Sequence, residues 1–326
     1  MFAFFLRRLG ITILMVVLSS FLIFGLIKMP PGSIATREAA EMSKHGGGQY
    51  GELVERLKKR YGLNKHFILQ YWDWFSDVLR GNFGRSNIYK RPVSEIILSE
   101  VGWTIILGIL ILTFAWSVGI VIGIYSATHQ YSFGDHLFTT LGFLGISIPN
   151  FFLAMLMIYI LVISGSNITG GLFSSEFKTA PWNWAKFIDL LKHIWMPVLA
   201  VGTAKIASVM RIMRNNLLEE INKDYIRTAR AKGLSEIEVW KHGVRVAINP
   251  LISKAGMQLS RLFNSVVLVA VVLSVPVIGP TFIEALKSQD TLLASAYLLI
   301  MLFLVIIGNF FADMLLAIVD PRIKYY

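Results

Sequence analysis

Val101–Thr128 reads VGWTIILGILILTFAWSVGIVIGIYSAT, 28 residues without one Asp, Glu, Lys or Arg. A helix needs about 20 mostly apolar residues to cross a bilayer core, so this run is long enough to span one. Four further uncharged runs are Leu9–Ile27, Leu137–Ser164, Leu262–Ile283 and Thr291–Ala312. A weaker one, His193–Met210, holds Lys205 and is read as a span that starts near Pro197. Composition points the same way. Of 326 residues 55% are hydrophobic and 16% charged, with a mean hydropathy of +0.62. Soluble domains carry roughly 25% charged residues, and no soluble core could hide this much apolar surface. Intrinsic disorder is excluded by the same numbers. The predicted fold is all-α and polytopic, with six transmembrane helices.

Lys and Arg in the short loops orient such a chain. With the N-terminus inside, the inner segments carry 13 basic residues: Arg7 and Arg8, nine from Arg211 to Lys254, and Arg322 with Lys324. The short outer loops carry four, Lys178, Lys186, Lys192 and Lys287. Both termini are therefore predicted on the cytoplasmic side. The long Lys28–Glu100 segment is left out of this count, because loops of that length translocate largely regardless of charge. Leu9–Ile27 is longer than a secretory signal's apolar stretch, so it is read as a retained helix. The net charge of +11 is spread along the chain and forms no nucleic-acid patch.

Two polar segments are informative. In the outer one, Glu52–Arg60 and His66–Arg80 have helical spacing, and Ile68, Tyr71, Trp72, Phe75, Val78 and Leu79 share one predicted face. Such a segment is either a small helical cap on the membrane surface or a docking surface for an external partner. In the inner one, Leu217, Leu218, Ile221 and Tyr225 form an apolar stripe that extends the fourth span into the cytosol. Gly233 suits the position after a helix C-terminus, where positive φ costs glycine nothing. Ser235 and Glu238 fit a capping box. The next helix carries Ile237, Trp240 and Val244 and stops near Asn249-Pro250. Helix, tight elbow, helix is thus predicted at the inner face; on these residues alone, a basic amphipathic segment on anionic lipid fits equally.

Self-contained chemistry is missing. No Lys follows a Gly, so no G-x-x-x-x-G-K-[ST] phosphate loop exists, and no H-E-x-x-H occurs. Gly145-Ile146-Ser147-Ile148-Pro149 ends in Pro where a nucleophile elbow needs Gly. The six His lack metal spacing and Cys is absent, so no catalytic or metal-ligating residue is assigned.

The run Asp224-Tyr225-Ile226-Arg227-Thr228-Ala229-Arg230-Ala231-Lys232-Gly233-Leu234-Ser235, followed by His242, Arg245, Ala247 and Pro250, closely resembles the cytoplasmic coupling segment of ABC importer permeases of the dipeptide/oligopeptide class. Further matches follow the chain: Arg7-Arg8, Pro31-Gly32, Tyr61–Lys65, Gly81–Ser86, Arg91-Pro92-Val93, Ser147-Ile148-Pro149, Asn309, Asp313 and Asp320–Ile323. The resemblance implies a type I ABC importer permease fold in the cytoplasmic membrane of a prokaryote. It divides the chain into a first helix (1–28), an extracytoplasmic helical loop (29–95), a permease core (96–319) holding the coupling segment 211–254, and a cytoplasmic tail (320–326). It implies that Arg227, Thr228, Ala229, Arg230, Ala231, Lys232, Gly233, Leu234 and Ser235 dock on an ATPase subunit. Implied partners are a homologous second permease, two cytoplasmic ATPase subunits that bind ATP and Mg, an extracytoplasmic solute-binding protein and membrane lipid. No cofactor falls to this chain.

Departures from the family pattern fall around the fifth span. Where V-E-T-V-F-x-[WY]-P-G-L-G is usual, Val269–Gly279 places Ala270 at the acid, Leu273 at the Phe and Val277 at the first Gly. These changes leave the cargo open between peptides and oligosaccharides. Ala270, Pro149 with Asn150, Lys205 and Arg261 are the candidates for the translocation pathway. For Lys205 and Arg261 two roles stand open: meeting an anionic group in the pathway, or snorkelling to the interface. An ion-coupled secondary transporter would need inverted repeats, which the halves do not show.

Overall fold

The computed structural model describes residues 2–29, 34–44, 49–60, 62–166, 168, 170–253 and 265–319. Pro31, Gly32, Tyr61, Lys254, Arg261 and the 320–326 tail lie outside the described residues. Among the described residues the regular structure is helical, with no strand. In chain order the helices are α1 (Phe2–Lys28), α2 (Ile34–Lys44), α3 (Tyr50–Arg60), α4 (Phe67–Leu79), α5 (Val93–Thr128), α6 (Phe133–Ser147) and α7 (Asn150–Ile163). There follow α8 (Trp184–Ile221), α9 (Asp224–Ala231), α10 (Glu236–Ala247), α11 (Asn249–Ser253), α12 (Ser265–Leu273), α13 (Ile278–Lys287) and α14 (Thr291–Val319).

Four helices are long and apolar enough to cross a membrane unbroken: Phe5–Leu26 of α1, all of α5 and α8, and Thr291–Phe311 of α14. The other two predicted spans are bent pairs. Helices α6 and α7 meet at 99°, and α12 and α13 at 86°, so six spans result only if each pair counts as one. The first break has a local cause. Pro149 has no N–H to donate, and its ring pushes Ile148 to extended backbone at φ −83°, ψ 122°. The second lies at Ser274–Val277, where Ser274 takes φ +52° just ahead of Pro276. Its exposed backbone is met by the loop after α7: the Gly171 N–H donates to the Leu273 carbonyl. A Cβ on the neighbouring Gly170 would lie 2.6 Å from that oxygen, so only glycine lets the loop come so close.

Pro197 is a correction to the expected start of the fourth span. It sits inside α8, which begins already at Trp184. Asn183 accepts from the Lys186 N–H at 2.8 Å and caps that start. The added turns bring in the charged residues Lys186 and Asp189, and both are buried. Asp189 accepts from the Ser174 hydroxyl and backbone N–H at 2.6 and 2.8 Å. Lys186 lies over the rings of Phe173 and Trp182, 5.0 and 5.4 Å from their centroids. Satisfied in this way, charged residues that hydropathy assigns to a loop stay helical.

The chain divides into two compact units, one of Met1–Leu9, Ser99–Ile283 and Leu304–Tyr326, the other of Gly10–Leu98 and Glu284–Phe303. Within the first, α8 is the central helix. Ala115, Gly119, Gly123 and Ala127 are buried at every fourth position of α5. A Cβ on Gly119 would lie 2.8 Å from Val209 Cβ and 2.9 Å from the Ile206 carbonyl, and one on Gly123 would lie 2.8 Å from the Met210 carbonyl. The α5 backbone therefore rests directly on α8, the close packing that small residues permit in membranes. The fourfold spacing is plain in the sequence, but hydropathy and charge do not single it out. Helix α6 crosses the same helix through Gly142 and Gly145, whose added Cβ atoms would reach Ala207 and the Thr203 carbonyl at 3.4 Å. Arg8 also pairs with Asp313 at 3.0 Å in this unit.

The second unit holds most of the polar segment between the first two spans. Helices α3 and α4 match the prediction within two residues, while α2 went unpredicted. Helix α2 packs Ala35 and Ala39 against Val54 and Leu57 of α3. The predicted apolar face of α4 is also corrected. Tyr71 and Val78 are buried, but Ile68, Trp72 and Leu79 are 60–72% exposed. The buried edge is selected by α1, where Ser20 Oγ lies 2.8 Å from the Tyr71 hydroxyl and Phe21 and Phe24 meet its ring edge-on. Asp290, fully buried, accepts from the Ser86 hydroxyl and the Asn87 N–H at 2.7 Å each.

Replacing Gly119 or Gly123 by Ala should lower stability by about 1–3 kcal/mol, because the added methyl meets backbone that has no room to move. Gly102→Ala, where nothing lies within 4 Å of the new Cβ, is the control and should not destabilise. Thermal unfolding of the three purified variants in one detergent checks this.

Candidate functional site

The elbow is built on the last turns of α8. Its helix ends at Ile221, where the sequence predicted continuation through Tyr225. The Asn222 side chain donates back to the Leu218 carbonyl at 2.9 Å, and Lys223 adopts extended backbone as the N-cap of α9. Glu220 holds the two helices together across this break. It is buried, and it accepts from the Tyr225 hydroxyl at 2.6 Å and from the Lys223 ammonium. Burial and the bonded carboxylate push the Tyr225 hydroxyl well above the ordinary phenol range. The same carboxylate raises Lys223. The residues at this joint thus keep complementary charge states over the whole physiological range.

Helix α9 is amphipathic. Ile226 is fully buried, whereas Arg227, Thr228, Arg230, Ala231 and Lys232 are exposed and Ala229 is half-buried. The turn that follows closes by backbone bonds, from Lys232 N–H to Thr228 carbonyl at 3.0 Å and from Gly233 N–H to Arg230 carbonyl at 2.9 Å. Gly233 takes φ +79°, as the glycine after a helix end must when the chain reverses. Leu234 is half-buried and Ser235 exposed. The predicted capping box is present: Glu238 accepts from the Ser235 N–H at 2.9 Å and from its hydroxyl at 2.7 Å. Those two bonds hold the Glu238 carboxyl below its usual range.

Sequence reasoning missed the ion pair that locks the turn. Arg230 donates to Glu236 through Nε and Nη2 at 2.9 and 3.1 Å, a bidentate pair across Gly233. The six-residue spacing matches no helical register, so only the elbow's geometry brings the two together. The buried face of α10 also differs from the prediction. Val239, Gly243 and Ala247 are buried, while Ile237 is 63% exposed. Gly243 is the reason: a Cβ there would lie 3.2 Å from Leu217 and 3.7 Å from Ile226. Helix α10 thus seats its one residue without a side chain on the junction of α8 and α9. Asn216 fixes the far end by donating to the Ala247 carbonyl at 3.1 Å.

The pathway candidates are not gathered into one site. Lys205 is half-buried on α8. Pro149 is exposed and Asn150 half-buried at the break between α6 and α7. Ala270 is 1% exposed in the apolar core with Val269, Leu273 and Val275. Arg261 lies outside the described residues. No group of three or more His, Cys, Asp or Glu that could hold a metal ion exists among the described residues.

Residues 119–325 match the family described as binding-protein-dependent transport system inner membrane component, and residues 1–108 match the N-terminal family of the same membrane components. The chain is 35% identical over 276 residues to the oligopeptide transport system permease protein AppB of Bacillus subtilis (strain 168), covering 83% of this chain and 85% of the relative. It is 30% identical over 342 residues to the dipeptide transport system permease protein DppB of Escherichia coli (strain K12), covering 100% of this chain and 99% of the relative.

The lowered Glu238 carboxyl gives the elbow a pH dependence. Its contribution is present above the unfolded value of about 4.3 and is lost as pH falls through the lower folded value. Amide protection in the first turn of α10 should therefore drop on acidification below about pH 4 in wild type. In Glu238→Gln, whose amide oxygen still accepts but does not titrate, it should not change with pH; hydrogen exchange corrected for intrinsic rates reads both.

Proposed function

Because the chain belongs to the family of inner membrane components of binding-protein-dependent transport systems, we propose that it is the permease subunit of an ATP-driven importer whose cargo is peptides. The peptide assignment is supported by the relatives, which are named as oligopeptide and dipeptide permeases and match over most of their length. The chain is a multi-pass inner membrane protein. Both termini and the elbow lie on the cytoplasmic side in this proposal, as the basic residues of the short loops favour. ATP and Mg bind on two cytoplasmic ATPase subunits, since this sequence has no phosphate loop of its own. A homologous permease completes the membrane part, and an extracytoplasmic binding protein delivers the cargo.

The observation that carries this reading is the rigidity of the elbow. A segment that receives a push must not absorb it. Helices α9 and α10 are joined by a closed turn, locked by Arg230–Glu236 and capped by Ser235–Glu238. They are seated on α8 through Ile226, Gly243, Glu220 and Asn216. Displacement of the exposed Arg227–Ser235 surface by a closing ATPase pair then moves α8 as one body. Helices α5 and α6 follow, because they touch its backbone through glycine. The breaks at Ile148–Pro149 and Ser274–Val277 are where the spans can bend in response.

Gly233→Pro tests the coupling. Pro cannot take the positive φ of the turn and has no N–H for the Arg230 carbonyl. The complex should still assemble in the membrane and hydrolyse ATP, but with peptide uptake reduced at least about 10-fold and hydrolysis no longer raised by binding protein and peptide. Uptake and stimulation equal to wild type in proteoliposomes would sink the coupling role. Purification of the tagged permease without ATPase subunits would sink the importer assignment itself.

A further inference from the structure

Helices α6 and α8 run antiparallel and leave a cleft of about 170 Å³ between them. One wall is Thr139, Gly142, Phe143 and Ile146; the other is Ala207, Met210, Arg211, Arg214 and Asn215. Antiparallel packing sorts these residues by polarity. Thr139 faces the Arg214–Asn215 end, Gly142 meets Met210 and Ala207, and Gly145 reaches Thr203. The cleft is polar and basic at the end nearest the basic segment that follows α8, and apolar at the other.

Its charge is set by three groups. Asp135 is buried and takes both Arg214 bonds, from Nε at 3.0 Å and Nη2 at 2.9 Å. It also accepts from the Tyr131 N–H at 3.0 Å. The Arg214 charge is therefore already matched. Arg211 is exposed and makes no ion pair with any described residue. The polar end thus carries one guanidinium unmatched among the described residues, with Asn215 one turn further along α8, while the Thr139 hydroxyl already donates to Asp135 at 3.4 Å. Beside it Phe143 and Ile146 are 58% and 45% exposed, an apolar bed that continues away from the charge.

We propose that this cleft binds the phosphodiester of an anionic phospholipid, phosphatidylglycerol in the simplest case, with Arg211 as its counter-ion and a lipid chain lying along Phe143 and Ile146. A single unmatched cation beside a strip of exposed apolar side chains is complementary to one negative charge attached to a hydrocarbon tail. Guanidinium presents the paired N–H groups that phosphate oxygens accept. The cleft admits a phosphate and its glycerol carbons but is too small to enclose an oligopeptide. The inner-leaflet position rests on the orientation proposed above; the lipid contact itself does not.

The test uses the assembled transporter, permease pair with ATPases, stripped of lipid and titrated with phosphatidylglycerol or uncharged phosphatidylcholine. Native mass spectrometry counts bound lipid, and thermal unfolding reads stabilisation. Phosphatidylglycerol should bind and raise the Tm where phosphatidylcholine does not. Arg211→Gln should weaken the phosphatidylglycerol response about 5-fold, the weight of one basic side chain against an anionic headgroup. Arg245→Gln, an exposed charge on α10 outside the cleft, should change it less than 2-fold. Equal binding by wild type and Arg211→Gln overturns the proposal. So does an equal loss in Arg245→Gln, which would mean diffuse attraction to basic residues. Displacement of the lipid by saturating peptide overturns it too, because the cleft would then belong to cargo. If accessibility labelling instead places Arg211 on the outer side while the lipid results hold, the orientation fails and the lipid site stands.

Discussion

Direct contact between the backbones of α5 and α8 is the constraint on which the first unit depends. Lipid tails are as apolar as leucine, so burial alone gives two membrane helices little reason to associate. Close packing has to supply it. Ala115, Gly119, Gly123 and Ala127 remove side chains from one face of α5 and let α8 come within contact of peptide carbonyls. Helix α8 is thereby held along its length, on a second side by Gly142 and Gly145 of α6. In the proposed function a 38-residue helix fixed in this way serves as a lever and not as a tether.

The elbow follows from the same logic at the other end of the lever. Gly243 again trades a side chain for proximity, here to Leu217 and Ile226. Buried Glu220 replaces a continuous helix with a bonded joint, so the chain turns without losing stiffness. The exposed side of α9 carries Arg227, Arg230 and Lys232, and none of these is needed to hold α9 on α8. Division of labour between a buried gripping face and an exposed cationic face is what the proposed coupling role requires.

Two buried acids of the first unit are bound locally and in pairs. Asp135 with Arg214, and Asp189 with Ser174, each satisfy a group whose isolated burial would be costly. Lys186 is accommodated differently, by aromatic faces and the Ala180 carbonyl at 2.6 Å. These arrangements let α8 extend beyond its apolar stretch at both ends. Among the described residues Arg211 makes no ion pair, which is the basis of the proposed lipid site.

Spans, helical caps and the elbow's turn were legible in the sequence because each depends on neighbours within a few residues. Apolar runs report spans, Gly233 reports positive φ, and Ser235 with Glu238 reports a cap; the structure has the turn, the cap and four unbroken spans, with two more where each bent pair counts as one. Tertiary structure alone decided which faces are buried and where spans break. Ile68 and Ile237 are as apolar as their buried neighbours, yet lie exposed because Tyr71 and Gly243 are the residues their partners can receive. Pro197 was read as an end and lies mid-helix, whereas Pro149 does break its span. Proline's local effect is the same at both sites, and the surrounding packing decides whether the helix continues. The Arg230–Glu236 lock likewise exists only once the chain has turned. Sequence by itself determined local geometry and the family, because bonding within a turn and motif spacing are written along the chain. Which residues meet across the fold was left to packing, because contact depends on the shape of both partners.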